Sequence, residues 1–524
     1  MYKWKIRNNS LDQTNLVEEV YKARGIENYQ ELFSLDEKAF LDPYLINDMD
    51  KAVDRIMKAI KNKEKILVYG DYDVDGITAT FVVYDTLKNL GANINYDIPN
   101  RFVDGYGLSY SKTFDIINEG YNLVITVDNG IKSIDEVKYF KENNIDIIIT
   151  DHHEKEGVLP DAYAILHTSL SKKYTFKPLA GVGVAFKLSQ ALIGEEALEY
   201  TDIVALGTIA DMMPLEGENR AIVNVGLSKL RNSSNVGARS LVSFLDIINP
   251  SVADVQYKIA PRINACGRMK SAKLAVRLFQ SENSAVAVQI LSEIEETNNK
   301  RKQLTKDLYS ESLSTVNHNQ PSIIIHSPKM HEGVIGIVAS RLANEYSKVT
   351  VVLKEDEFTF KGSIRSYNGV DVIYILNELK DLLIRHGGHQ NAAGLEFVKE
   401  NLNEFKTRFN ELIPDAIRDD IVIAEGIIDI HKLTIEQIIE LDKYDLKDTL
   451  FVFEDIYPEN RYLIKGEHTK LILNGGSEAL FFNNKNLYSK LYNKNTVTLL
   501  GRLDVNYFRG KYKKQIIIDD YYIK

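Results

Sequence analysis

The chain has 524 residues, 44% of them hydrophobic, which is material for three or four cores rather than one. Charged residues make up 26%, no apolar run is long enough to span a bilayer, and a formal net charge of -10 argues against non-specific coating of nucleic acid. That charge does not exclude a local basic channel for one strand, because acids gathered around divalent cations bias the total.

Residues 10–60 read as helical and form an expected N-terminal helical cap over 1–60. The opening MYKWKIRNNS lacks the apolar core of a secretory signal, and the lone Cys266 fits a reducing compartment, so a cytoplasmic protein without membrane attachment is expected. From Lys65 to Pro160 the β-branched runs KILVY, NINYDI, NLVITV and IDIIIT alternate with helical stretches such as Ile77 to Leu90 and Ile131 to Asn143. Strands alternating with helices predict an α/β fold with a parallel sheet covered on both faces. Further helices are expected over 200–245, completing a domain over 61–270. The charged stretch SEIEETNNKRKQLTKDLYSES predicts a long solvated connecting helix within 271–318. A smaller α/β unit follows over 319–415, and the β-rich, Gly-punctuated remainder over 416–524 predicts a small barrel.

Three of the predicted strands run directly into acids or histidines. KILVYG is followed by Asp71, Tyr72, Asp73, Val74, Asp75 and Gly76; NLVITV by Asp128, Asn129 and Gly130; IDIIIT by Asp151, His152 and His153. The carboxyl ends of parallel strands line the ligand crevice of such a sheet, so these groups are expected to converge. Asp211, which ends the apolar run IVALGTIA, can close the same crevice. Hard oxygen donors with one imidazole suit Mn²⁺ or Mg²⁺ better than zinc. DYDVDG also opens like an EF-hand loop, but Val82 stands where that loop needs a bidentate Glu, and a strand precedes it. Each piece alone reads as an ordinary turn or surface pair; three on successive strand ends do not.

These residues are similar to the motifs of the DHH phosphoesterase superfamily, with Asp73 and Asp75 in the first, Asp128 in the second, Asp151-His152-His153 in the third and Asp211 in the fourth. Gly387-Gly388-His389 with Ala392-Ala393-Gly394 resembles the associated DHHA1 domain. NRFVDGYG from Asn100, LAGVGVAFKL from Leu179, PRINACGRM from Pro261, HEGVIGIVASRL from His331 and GSIRS from Gly362 resemble the RecJ exonuclease family in particular. The resemblance implies a parallel-sheet DHH domain joined by a long helix to a smaller DHHA1 domain, then an OB-like barrel. It implies two divalent ions, Mn²⁺ preferred and Mg²⁺ the alternative, with Asp73 on one, Asp75 on the other, Asp128 bridging, and His152 and Asp211 completing the second. His153 would face the scissile phosphate, acting with Asp128 in catalysis, while Asp71 and Asp151 would support the ligands from behind.

The implied activity is 5′→3′ exonucleolysis of single-stranded DNA to 5′-mononucleotides, in recombination and repair. Arg101, Arg262, Arg268 and Arg365 lie in matching motifs and suit phosphate. Ser363, Arg365, Gly388 and His389 resemble a pocket for a 5′-terminal phosphate, to which a helix opened by GGHQNAAG would add N–H groups. Tyr507, Phe508, Arg509 and Lys511, with Lys513 and Lys514 beyond, suit base stacking and backbone attraction in the barrel. Two departures stand out. LDKYDLKDTLF from Leu441 has neither Pro nor Gly where relatives usually carry both, and Leu166-His167-Thr168 stands where Asn-Pro is common. A monomer working with a helicase and a single-strand-binding protein is expected. The rival readings are a DHH enzyme acting on short RNA or cyclic dinucleotides, which generally lacks the barrel, and a non-enzymatic replication factor, which would have lost ligands.

Overall fold

The computed structural model describes residues 3–102, 104–105, 107–155, 157–414, 421–482, 484–491, 496–508 and 511–523. The chain divides into two compact units, one of residues 34–250 and 254–417, the other of 1–33, 251–253 and 418–524.

In the larger unit the first sheet has five strands, in the order Asn93–Asp97, Lys65–Tyr69, Leu123–Val127, Asp146–Thr150, Ala164–Leu166, all parallel. Leu123–Val127 is buried at every position and Lys65–Tyr69 at all but its first, as expected for strands covered on both faces. Their side chains pack with Val137 and Phe140 of the helix Ile134–Glu142. Chain order reverses across Lys65–Tyr69: the next strand lies on one side of it and the one after on the other. This is the switch point at which such sheets open a crevice.

The second sheet of this unit is also five-stranded, in the order Arg385–His389, Ala392–Val398, Thr359–Arg365, Thr350–Glu355, Ile323–Ser327, and only the last pair is parallel. Between the sheets runs the expected long helix, Ser284–Leu313; at 30 residues it is about 45 Å long. It packs along the helices Ala260–Met269 and Glu332–Tyr346. Those two helices approach so closely that a Cβ on Gly333 would lie 1.8 Å from the carbonyl oxygen of Arg268, so glycine is required there.

GGHQNAAG does not open a helix. Gly387 pairs with Gly394, Gly388 with Ala393 and His389 with Ala392 in an antiparallel hairpin, so no helix-terminal N–H groups are offered. Gly388, at φ 144°, leaves its Cβ position 2.4 Å from the Ala392 carbonyl, a close backbone approach that the glycine allows.

The expected helical cap over 1–60 is also corrected. Lys3–Asn8 is a strand paired in parallel with Ile421–Ile427, at the edge of the eight-stranded sheet of the smaller unit. Trp4 and Ile6 alternate with Lys5 and Arg7 in burial, a strand period that the expected cap passes over. Leu16, Val17, Val20 and Tyr21 of the helix Leu16–Ala23 join Phe451, Leu499 and Ile516 in the core of that unit. Glu425, 6% exposed, binds Arg7 at 3.1 Å and Arg24 at 3.0 Å, tying the strand and the helix to the sheet. The helix Met49–Lys61, by contrast, belongs to the larger unit.

Trp4, the only tryptophan, reports on the smaller unit, its Nε1 donating to Asp520 at 3.0 Å. Leu16→Ala is expected to destabilise the urea transition followed by Trp4 fluorescence by about 2–5 kcal/mol. Manganese binding by the larger unit, measured by calorimetry, is expected to be unchanged.

Candidate metal centre and phosphate cluster

The first acidic segment turns directly from strand to helix. Asp73 caps the helix Val74–Asn89, accepting from the Gly76 N–H at 3.1 Å. A Cβ on Gly76 would lie 2.6 Å from the Cβ of Asp71, so only glycine lets the turn close. Asp75, 2% exposed, accepts from the N–H groups of Gly181 and Val182, both at 2.7 Å, at the start of the helix Gly181–Ile193. That helix start holds Asp75 through its N–H groups. Gly181 also lets Asp128 approach, since a Cβ there would meet its Oδ1 at 2.4 Å.

Asp128 follows its strand with φ 62°, a left-handed conformation that aspartate tolerates better than most residues. Asn129 bonds the carbonyls of Tyr69 at 3.2 Å and Val127 at 2.9 Å, locking two strand ends together. In the third segment Asp151 gathers donors. Its Oδ1 accepts from the N–H groups of His152 and His153 and meets His153 Nδ1 at 2.8 Å, while Oδ2 accepts from Ile131 N–H at 2.9 Å.

The titrations separate the two histidines. Burial and the neighbouring His153 charge lower His152 to about 4, leaving it neutral and able to donate a lone pair. Burial also opposes the charge on His153, but the bond and charge of Asp151 overcome it and raise His153 to about 9. Asp151 is held at about 2, the His153 contact and backbone N–H groups outweighing its burial. Asp71, Asp75 and Asp128 are all raised well above the usual carboxylate range, by burial first and then by neighbouring carboxylates. Burial and the charge of Asp73 raise Asp211 to about 7.

His152 Nε2 lies 3.2 Å from Asp128 Oδ1 and 3.7 Å from both Asp75 Oδ2 and Asp211 Oδ2. Ligands about 2.1 Å from a Mg²⁺-like ion are roughly 3 Å apart along an octahedral edge, so this set fits one ion with little adjustment. Asp71, Asp73 and Asp128 form a second group, with ligand atoms within 4.8 Å of one another. Asp128 belongs to the groups on both sides, as a bridging ligand would. Asp71 is thus drawn in among the ligands rather than behind them, and its Oδ1 is buried without a hydrogen-bond partner. The residues present fit two divalent ions.

The same unit carries a group of cations. Arg101 stacks over Tyr72, 5.1 Å from the ring centre. Arg365 donates to Ser340 Oγ at 3.1 Å and Ser363 Oγ at 2.8 Å, and Gly336 leaves room for its guanidinium. Strand register sets Arg365 opposite Ala392, and Ala392 opposite His389, so Ser363, Arg365 and His389 share one end of the second sheet. Among the described residues Arg268 donates to the Gly333 carbonyl alone, at 3.4 Å. Arg262 stands apart: it is bound to Glu295 at 2.6 Å and to the Lys258 carbonyl at 2.7 Å, and braces the long helix instead.

In the smaller unit Tyr507 and Lys511 are exposed, and Tyr512, not singled out from the sequence, packs against Tyr507 with ring centres 4.7 Å apart. Phe508 is described only as backbone, and Arg509 lies outside the described residues. Lys513 pairs with Glu478 at 2.8 Å and Lys514 donates to the Ile430 carbonyl at 2.8 Å, so both are engaged within the fold. His167 was noted only as a departure. It is 3% exposed, its Nδ1 accepts from Ser169 N–H at 3.2 Å, and its Nε2 therefore carries the proton that bonds the His153 carbonyl at 2.9 Å. It fixes the backbone of the histidine pair.

Carboxyls raised by folding contribute stability that is full below about pH 4 and lost as pH rises through their folded values, about 7 for Asp211. His153, raised to about 9, acts in the same direction, while the lowered His152 opposes it between about 4 and 6.5. Metal-stripped protein is therefore expected to lose stability between pH 5 and 8 in thermal melts, and Mn²⁺ to remove most of that loss. A flat profile without metal would contradict this account of the cluster.

The chain matches the family model described as the DHH family, N-terminal domain, over 65–208, the DHHA1 domain over 320–415 and the RecJ OB domain over 425–520. It is 35% identical to the single-stranded-DNA-specific exonuclease RecJ of Bacillus subtilis, across 99% of this chain and 69% of that protein. It is 31% identical to the protein of the same name in Haemophilus influenzae, across 98% and 96%. The crystal structure of RecJ in complex with Mn²⁺ from Thermus thermophilus superposes with a TM-score of 0.81 at 29% identity, across 99% of this chain and 79% of that one. A structure of exonuclease RecJ bound to manganese matches with a TM-score of 0.65 at 33% identity, across 72% and 96%. A buried acid cluster at the switch point, the same three domains in the same order, and likeness over nearly every residue lead to one conclusion: the chain belongs to the RecJ family.

Proposed function

We infer that this chain is a metal-dependent, single-stranded-DNA-specific exonuclease of DNA recombination and repair, and that it works from the 5′ end, releasing 5′-mononucleotides. The observation that carries the reading is the pairing, within one unit, of a buried carboxylate–histidine cluster with a group of arginines that has no carboxylate partner among the described residues. One side suits divalent ions and the other suits phosphate, and a strand end supplies phosphates to both.

Two divalent ions, Mn²⁺ or Mg²⁺, would acidify a water and stabilise both the attacking and the leaving oxygen. Asp73, Asp75, Asp128, His152 and Asp211 are the residues that would hold them, with Asp71 close enough to share in that task. His153, oriented through Nδ1 by Asp151, would face the scissile phosphate. Ser363 and Arg365 would take the terminal phosphate, with Gly388 and His389 at the same end of the sheet. In the smaller unit Tyr507, Tyr512 and Lys511 suit base stacking and backbone attraction.

Among the described residues no helix is long and apolar enough to cross a membrane. A monomer in the cytoplasm, served by a helicase that exposes the strand and a protein that coats it, is the setting this activity calls for.

The test offers the purified protein Mn²⁺ with single-stranded DNA labelled at either end, beside a duplex, a short RNA and a cyclic dinucleotide. Mononucleotides released from the 5′ end of the single strand, and lost with chelator, are expected. Turnover of the small substrates without DNA cleavage would overturn the reading. Asp128→Ala is expected to abolish cleavage. Arg365→Ala is expected to raise KM about 10–100-fold, as loss of a charged hydrogen-bonding group does, with kcat changed much less.

A further inference from the structure

The segment that follows the edge strand Ala164–Leu166 serves the metal centre at both of its ends. At its far end Gly181 and Val182 hold Asp75 through their N–H groups, both at 2.7 Å. At its near end stands His167. The strand before it pairs with Asp146–Thr150, and the Asp151 N–H donates to the Leu166 carbonyl at 3.2 Å, so His167 lies beside Asp151-His152-His153. The stretch between the two ends is gathered from within. Lys177 Nζ donates to the carbonyls of Thr168, Ser171 and Tyr174, and Ser171 Oγ donates to the His167 carbonyl at 2.7 Å. All three donors of one ammonium are thus spent on a largely irregular segment.

His153 needs a brace on one side. On its N-terminal side Asp151 accepts from its N–H at 3.2 Å and meets its Nδ1 at 2.8 Å. On the other side the chain runs out through exposed Glu154 and Lys155. There the His167 Nε2 proton meets the His153 carbonyl at 2.9 Å. Backbone at the start of a loop keeps its freedom unless such a bond removes it, and a displacement of about 1 Å near a reacting centre can cost about a hundredfold in rate. His167 is itself fixed. It is 3% exposed, and its Nδ1 accepts from Ser169 N–H at 3.2 Å. The two ring nitrogens therefore have separate tasks: Nδ1 caps the turn Thr168–Leu170, and Nε2 reaches the histidine pair.

We propose that His167 is a positioning residue for the hydrolytic step: its Nε2–H bond fixes the backbone of His153, and with it the imidazole that faces the scissile phosphate. The proposal rests on the role given to His153 above and adds a residue that acts through it.

Two substitutions separate the nitrogens. His167→Asn keeps an acceptor where Nδ1 stands, so the cap survives, but its side chain ends short of the His153 carbonyl. His167→Gln reaches that carbonyl with an amide N–H and gives up the cap. With Mn²⁺ and a single-stranded oligonucleotide, His167→Asn is expected to lower kcat about tenfold, while KM and calorimetric Mn²⁺ affinity change less than about twofold. His167→Gln is expected to recover most of that loss. In a His153→Ala background His167→Asn is expected to cost no further rate, because the ring it positions is gone.

The opposite order of the two variants, equal losses in both, or no loss in either would overturn the proposal. So would a further loss in the His153→Ala background, or weakened Mn²⁺ binding in His167→Asn. If His167→Asn does not fold, His167→Gln decides alone: kcat within about threefold of wild type supports the proposal, and a larger loss overturns it. These failures leave the exonuclease reading standing. A His153→Ala chain as active as wild type would overturn the role of His153 and the proposal with it, and a wild type inactive on single strands would overturn the exonuclease reading as well.

Discussion

Repulsion among carboxylates packed into one crevice governs the architecture of the larger unit. Asp71, Asp75 and Asp128 are each no more than 2% exposed, and Asp211 shares their space. Two unit charges about 4 Å apart repel by roughly 4 kcal/mol even at an effective dielectric constant of 20. A fold can hold such a group only if rigid, independently stabilised elements force the acids together. The parallel sheet does this from one side, with strands whose apolar side chains are buried on both faces. The helix start at Gly181 does it from the other, with N–H groups on Asp75 and no Cβ to obstruct Asp128. Divalent ions then convert the repulsion into coordination, which is why the cluster is expected to be more stable loaded than empty.

The second constraint is the reach of a phosphate chain between unlike charges. The acids follow strands of the first sheet, except Asp211, which ends the helix Thr201–Ala210; the arginines come from the loop carrying Arg101, the helix carrying Arg268, and the strand carrying Arg365. Holding these together depends on helix contacts too close for side chains, with Gly333 against the Arg268 carbonyl and Gly336 against the Arg365 guanidinium. A methyl group at Gly333 would force the two helices apart, and one at Gly336 would displace the Arg365 guanidinium.

The strand-end acids were legible because two local signals coincided: β-branched runs mark buried strands, and the carboxyl ends of parallel strands lie on one edge whatever the loops between them do. Asp71, Asp73, Asp75, Asp128, Asp151, His152 and His153 could be placed without knowing which strand neighbours which. Non-local pairings were not legible. Lys3–Asn8 finds its partner more than four hundred residues away, and nothing in KWKIRN names it. Arg262 and Arg268 share one motif and helix, yet one turns to Glu295 and the other to the arginine cluster, a choice made by the helix packed alongside. GGH read as a helix start because glycine permits that turn and a hairpin equally. His167 carried no signal, since a buried histidine that bonds backbone on both sides looks in sequence like any other.

A net charge of -10 and a function on DNA are compatible because the larger unit segregates its charge by role rather than by face. Acids that hold ions lie buried, where they cannot repel a strand at a distance, and become electrically quiet once the ions bind. Arg101, Arg268 and Arg365 have no carboxylate partner among the described residues, while many other basic side chains are matched: Lys513 with Glu478, Arg55 with Asp146, Arg262 with Glu295. A surface of this kind would give weak affinity for duplex or internal backbone and strong affinity at one point. Selectivity for an end follows from that economy of unmatched charge. A broad basic face would bind any polyanion anywhere along its length, whereas a small cluster of guanidiniums beside a metal site rewards only a chain that terminates there.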